Sequence, residues 1–290
     1  MIWSREKFRL CAVVCLAGLC STAATSGSAQ QWAKDTLARS PRHGEYVTIH
    51  APGGRNLQAW VVYPENKSKA PVVLMIHEIF GLSDWAREMA DEVAGAGYIV
   101  VEPDLLSALG PASGEGGAGA AYATANPGGT AAFPDQNAVV RAVSSLPDPQ
   151  VMADLDAAAD YGKHLPAASG KLFVAGFCWG GGKSFLYATH RHDLSAAFVF
   201  YGPPPPADLM KDITAPVYGF YAQNDARITS TVDQTKAEMK AAGKVYDAVI
   251  YPGAGHGFMR AGEAPDANAA NAAARQAAFH RWVQLLGASR

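Results

Sequence analysis

The sequence predicts an α/β fold, a single mostly parallel sheet flanked by helices on both faces. Residues 71–76, Pro-Val-Val-Leu-Met-Ile, form an unbroken apolar run, the pattern of a strand covered on both faces. From that run onward, strand-like and helix-like segments alternate, as repeated βα units require. Residues 172–188 then read as strand, sharp turn and helix, with glycines at 176 and at 180–182. A chain of 290 residues that is 49% hydrophobic and 17% charged can bury a substantial core in one domain of this class.

At the N-terminus, Arg5, Lys7 and Arg9 precede the apolar run 10–19, which is followed by small residues through Ala29. This order predicts a secretory signal peptide over residues 1–29, cleaved after Ala29 or Ala24, and a periplasmic or secreted protein. The apolar run is too short to span a bilayer, so no stable membrane anchor is expected. Neither Cys15 nor Cys20 follows the small residue that a lipid-anchored leader usually requires. Cleavage removes three of the 24 basic and one of the 26 acidic residues, leaving a formal charge of -4. With no basic stripe, a nucleic-acid partner is excluded. Cleavage also removes Cys11, Cys15 and Cys20, leaving Cys178 alone where an exported protein would ordinarily pair its cysteines.

Residues 30–44 are polar and are expected to be loosely ordered. Residues 46–50 and 57–63 read as strands around Pro52-Gly53-Gly54, an antiparallel hairpin that opens a domain spanning 45–290. After the strand at 71–76 come a helix over 84–96, a strand over 98–101, a helix over 152–164 and the strand at 172–175. Strands over 196–201 and 216–221, a helix over 231–242, a strand over 246–251 and a helix over 267–286 complete the chain. Between residues 104 and 149 the pattern gives way to glycine-rich sequence. So long an irregular stretch is read equally as a lid or as an exposed insertion. Pro203-Pro204-Pro205-Pro206 should form a stiff, extended wall at the carboxyl edge of the sheet, where such folds bind ligands.

The pattern Gly176-Phe177-Cys178-Trp179-Gly180 has the form of a nucleophile elbow with cysteine in the central position. Glycines are needed where a Cβ would strike the neighbouring strand and helix, and the helix N-terminus behind the thiol favours thiolate. A buried structural cysteine is the competing reading. A phosphate-binding loop ending at Gly182-Lys183-Ser184 is set aside, because position 177 is phenylalanine where that motif needs glycine. A thiol nucleophile requires a base and a group that orients the base. Asp225 follows one strand and His256 follows the last, so the order nucleophile, acid, histidine is kept and all three fall at one sheet edge. Taken singly, Asp225 reads equally as a turn residue and His256 as a loop histidine. His190 and His192, two apart near a helix end, do not share a helix face and are read as surface residues, not metal ligands. No metal or cofactor is called for. The loop after the strand at 71–76 and the residue after the nucleophile are the usual sources of oxyanion-hole N–H groups, here Ile79 and Trp179. Glu78 is an awkward neighbour for such a hole.

With His77-Glu78-Ile79-Phe80-Gly81, Gly-Phe-Cys-Trp-Gly-Gly at 176–181, Asp225, Gly-His-Gly-Phe at 255–258 and Arg260, the chain resembles the dienelactone hydrolase family of the α/β-hydrolase superfamily, over about residues 45–287. The resemblance implies a triad of Cys178, Asp225 and His256. It also implies that Glu78 pairs with the resting thiol and takes its proton when substrate binds, and that Arg260 binds a substrate carboxylate. A second family arginine lies upstream of the elbow, with Arg141 as a candidate. The leader departs from the cytoplasmic members of the family. The expected activity is hydrolysis of a small ester or lactone through a thioester; a broad carboxylesterase and a catalytically silent ligand-binding protein are the alternatives.

Overall fold

The computed structural model describes residues 30–66, 68–109 and 128–289. The leader predicted over residues 1–29 and the glycine-rich run 114–121 lie outside them. Eight strands, β1 (Gly44–Ala51), β2 (Arg55–Val62), β3 (Ala70–Ile76), β4 (Ile99–Pro103), β5 (Ala168–Phe177), β6 (Leu194–Phe200), β7 (Val217–Asn224) and β8 (Tyr246–Gly255), form one sheet. The order across it is β1-β2-β4-β3-β5-β6-β7-β8. The opening hairpin is antiparallel and β2 runs antiparallel to β4, whereas every pairing from β4 through β3 to β8 is parallel. The helices are α1 (Gln31–Arg39), α2 (Asp84–Gly95), α3 (Gln136–Ser144), α4 (Asp148–His164), α5 (Trp179–His190), α6 (Ala226–Thr229), α7 (Val232–Ala241), α8 (Phe258–Ala261) and α9 (Ala269–Ala288).

The unbroken apolar run at 71–76 is the sheet's centre. Its alternate residues enter two separate cores: Val72, Leu74 and Ile76 join one, and Val73 and Met75 join the other. β5 divides likewise, sending Leu172 and Val174 to the first and Phe173, Ala175 and Phe177 to the second. Strands buried on both faces need no polar alternation, which is why the sequence shows none. The second core is aromatic: Phe200 stacks on Phe220 at 4.2 Å between centroids and Trp282 of α9 meets Phe200 edge-on at 5.0 Å.

Three expectations are corrected. Residues 31–39 form α1, held by Ala33 in the core and by Gln30 Oε1, which accepts the Trp85 N–H at 2.9 Å. Only one of its residues is buried, too weak an apolar stripe to be read as a helix. Residues 136–144, placed in the irregular stretch, form α3. Asp135 caps it through the Ala138 N–H at 2.8 Å, and Ala138, Val139 and Val143 make a short buried stripe. Finally, α4 starts at Asp148, four residues before the predicted start, because Pro149 stands in the first turn, where a missing N–H costs nothing.

Candidate active site

Five parallel strands deliver the site from their carboxyl ends: β3 (Glu78, Ile79), β5 (Cys178), β6 (Tyr201), β7 (Asp225) and β8 (His256). Cys178 sits between β5 and α5 with φ 55° and ψ -115°, a strained backbone for a residue with a side chain. The flanking glycines are required by space. A Cβ on Gly176 would lie 2.0 Å from the Gly180 carbonyl oxygen, and one on Gly180 would lie 2.4 Å from the carbonyl oxygens of Ile76 and His77. The Cys178 N–H is tied to the Phe200 carbonyl at 3.0 Å, so the turn is fastened to β6 as well.

The thiol is half-buried, and its Sγ lies 3.1 Å from Nε2 of His256, whose Nδ1 lies 2.6 Å from Asp225 Oδ2. Asp225 itself is buried. The hydrogen bond to Cys178, and after it the one to Asp225, hold the imidazole proton more tightly than usual, raising its pKa to about 9 against the opposing effect of burial. The ring thus lies between the sulfur and the carboxylate with one nitrogen facing each, and its proton is favoured by both neighbours.

The resemblance implied that Glu78 pairs with the resting thiol, and the geometry differs. Glu78 is buried; its Oε2 accepts from Arg260 Nε at 2.7 Å and its Oε1 from the Tyr201 hydroxyl at 3.3 Å. To take the thiol proton it would have to leave both, and removing a carboxylate from a buried pair leaves an uncompensated cation. Arg260, the implied reader of a substrate carboxylate, is likewise occupied, with its guanidinium 4.9 Å above the Phe80 ring. Burial opposes the charge of Arg260, but the Glu78 carboxylate more than restores it. Arg141 is exposed on α3 and is not among the residues lining the cavity.

That cavity, about 440 Å³, opens over Cys178. Ile79 and Trp179, the two candidate oxyanion donors, line it together with Tyr201, Leu186, Leu209 and the wall Pro203-Pro204-Pro205-Pro206. Trp179 is the first residue of α5, so its N–H has no acceptor within the helix. Asp148, Lys183 and Arg227 supply charge.

Tyr201 and Arg227 were not singled out from sequence, and His77 was named only as part of the motif at 77–81. Tyr201 is fully buried with φ 40°, sets its ring edge-on to His256 at 5.1 Å, and is held un-ionised by burial and by the nearby Glu78 charge. Its position just past a parallel strand was the available signal. His77 is kept neutral by burial. Its Nδ1–H donates to the Glu78 carbonyl at 2.7 Å, its Nε2 accepts from the Leu105 N–H at 3.4 Å, and its ring stacks on Trp179 at 5.8 Å. It thus braces the loop that carries Glu78 and Ile79. A second brace is Asp104, whose carboxylate accepts from the Thr130 N–H and hydroxyl, while Thr130 Oγ1 accepts from the Leu82 N–H.

Comparison with known proteins agrees with this fold. The profile of the dienelactone hydrolase family matches residues 57–289. A provisionally named carboxymethylenebutenolidase of Methylorubrum extorquens is 33% identical over 214 residues, covering 70% of this chain and 68% of that protein. Another from Escherichia coli is 29% identical over 246 residues, covering 81% and 84%. Among solved structures, a provisionally assigned dienelactone hydrolase from Klebsiella pneumoniae superposes with a TM-score of 0.67 at 28% identity, over 84% of this chain and 98% of that one. With a profile match over most of its length and an eight-stranded α/β-hydrolase sheet, this chain belongs to the dienelactone hydrolase family, a family of hydrolases.

Proposed function

We propose that this hydrolase opens a small ester or lactone, the substrate class to which the carboxymethylenebutenolidase name of its relatives points, and that it does so by acyl transfer through a thioester on Cys178. The observation that carries the reading is the hydrogen-bonded run from Asp225 through His256 to the Cys178 sulfur at the floor of a mainly apolar cavity. The Cys178 sulfur, 3.1 Å from His256 Nε2, is the nucleophile and gives its proton to that nitrogen. It attacks the carbonyl carbon, and the carbonyl π pair moves onto oxygen, where the N–H groups of Ile79 and Trp179 receive it. As the tetrahedral adduct collapses, the alkoxide leaves with the proton from His256 Nε2. Neutral His256, oriented by Asp225, then takes a proton from water. The hydroxide attacks the thioester, and the acid departs as the thiolate is restored.

In this scheme His256 is the acceptor of the thiol proton, and Glu78 acts as a positioning residue that locks Arg260 and Tyr201 beside the nucleophile. Arg260 would then reach a substrate only through a rearrangement of that pair. Export through the N-terminal leader belongs to the same proposal.

The test uses 4-nitrophenyl acetate and a panel of simple lactones. Mass spectrometry of the quenched reaction is expected to find the acyl group on the peptide carrying Cys178, and Cys178→Ala is expected to lose roughly a thousand-fold or more in turnover. Cys178→Ser should be severely impaired as well, since the site is built around a thiol that ionises far more readily than an alcohol. Turnover at the wild-type rate by the Ala variant would sink the proposal.

A further inference from the structure

We infer that Thr130 is a positioning residue for the oxyanion hole, its hydroxyl fixing the turn Glu78-Ile79-Phe80-Gly81 so that the Ile79 N–H faces the carbonyl under attack. The inference rests on the ester-hydrolase reading and deepens it by naming what holds one of the two oxyanion donors. Ile79 lies beyond the end of β3, and its N–H has no acceptor among the described residues. A peptide unit is planar and trans, so whatever grips the Glu78 carbonyl also sets the direction of the Ile79 N–H in the same plane. Two donors grip that carbonyl, the Gly81 N–H at 3.1 Å and His77 Nδ1 at 2.7 Å. Gly81 closes the turn at φ 70°, a conformation that a side chain would strain.

Thr130 is what holds Gly81 and the residue after it. A Cβ on Gly81 would lie 2.3 Å from Thr130 Oγ1, so the turn rests directly on that hydroxyl. The same oxygen accepts the Leu82 N–H at 2.9 Å and donates to Asp104 Oδ1 at 2.9 Å. Thr130 is itself pinned, because its N–H donates to Asp104 Oδ2 at 2.7 Å and Asp104 is buried just past β4. Asp104 Oδ1 also accepts the Leu106 N–H at 3.1 Å. Gly129 permits this approach, since a Cβ there would lie 2.7 Å from Asp104 Oδ2. The junction needs one atom that accepts from Leu82 and donates to the carboxylate at once. A hydroxyl does both, and valine, of nearly the same shape, does neither. The loop that follows β3 is thereby anchored to the neighbouring strand β4 as well as to its own.

The experiment compares wild type, Thr130→Val and Thr130→Ser in two reactions of Cys178. Hydrolysis of 4-nitrophenyl acetate passes through an oxyanion, whereas alkylation by chloroacetamide, a displacement at a saturated carbon, does not. Thr130→Val is expected to lose roughly ten- to a hundred-fold in kcat with KM nearly unchanged, yet to alkylate within about two-fold of the wild-type rate. Thr130→Ser, which keeps the hydroxyl, should retain most of the activity. An unchanged kcat in Thr130→Val overturns the proposal. So does alkylation that falls as far as kcat, which would mean that the hydroxyl only holds the fold around the elbow. A readout independent of turnover uses phenethyl trifluoromethyl ketone: the Cys178 sulfur, its proton passing to His256, adds to the carbonyl carbon, and the π pair moves onto oxygen. Its affinity, read from protection of Cys178 against chloroacetamide, is expected to fall by a similar factor in Thr130→Val and to be kept in Thr130→Ser. Absent protection in wild type overturns the proposal even if the ester is hydrolysed. Protection that Thr130→Val weakens, with no ester turned over, supports the positioning role and refutes the hydrolytic reading.

Discussion

The proton on His256 is the residue-scale feature with the most direct consequence. Its pKa is raised to about 9 first by the bond to Cys178 and then by the bond to Asp225. Under the thioester reading, this proton goes to the leaving alkoxide, so kcat/KM should hold level through neutral pH and fall as pH rises through about 9. Asp225→Asn removes one of the two causes and should move that inflection to lower pH. A profile still level at two pH units above the inflection would remove His256 from the acid role. The same proton is linked to folding: because the folded pKa lies above the ordinary 6.5, its stabilisation is complete below that pH and fades as pH rises toward about 9. Glu78 shows the limit of transferring roles by motif. Its position in the loop after β3 is as expected, but its partners are Arg260 and Tyr201, and contacts of that kind are made between residues more than a hundred positions apart.

At the scale of elements, the elbow works because β5 and α5 approach closely enough to leave no room for a methyl group. Gly180→Ala would place a Cβ 2.4 Å from two backbone carbonyl oxygens of the β3 end and the loop after it, the loop that supplies Ile79. Backbone cannot swing aside as a side chain can, so α5 must shift. We expect a stability loss of about 1–3 kcal/mol in urea denaturation, the usual cost of overpacking. Turnover should fall on the order of a hundred-fold, since small displacements between nucleophile and oxyanion donors are that costly. Gly287→Ala in α9 is the contrasting case, with no atom within 4 Å of the added Cβ. It should stabilise by about 0.4–1 kcal/mol, through lost freedom of the unfolded chain. Equal effects of the two substitutions would mean that the elbow is not sterically closed.

For the whole molecule, export and the lone thiol are argued together. If the 29 N-terminal residues are removed, Cys178 is the single cysteine left in a chain of formal charge -4. Intramolecular disulfide formation is then impossible, and a half-buried thiol beside a protonated histidine is the group open to oxidation. Intact-mass measurement on the protein isolated from its native host is expected to show a chain beginning after Ala24 or Ala29. A chain still carrying Met1 would remove export from the proposal.

The sequence by itself determined the parallel sheet, the elbow and the order Cys178, Asp225, His256. Burial on both faces writes continuous apolar runs, and a turn without room for a Cβ admits only glycine. Both are local constraints that leave local marks. It also placed Pro203 to Pro206 on the rim of the cavity, because four prolines have little choice of conformation. Only the tertiary structure decided the rest. α1 and α3 exist because one residue of the first and three of the second find buried places, a stabilisation invisible in propensity. The pairing of Glu78 with Arg260 and the buried hydroxyl of Tyr201 depend on which side chains meet when five strand ends converge. Spacing along the chain carries no trace of those meetings, since a charge is neutral or free according to its neighbours in space.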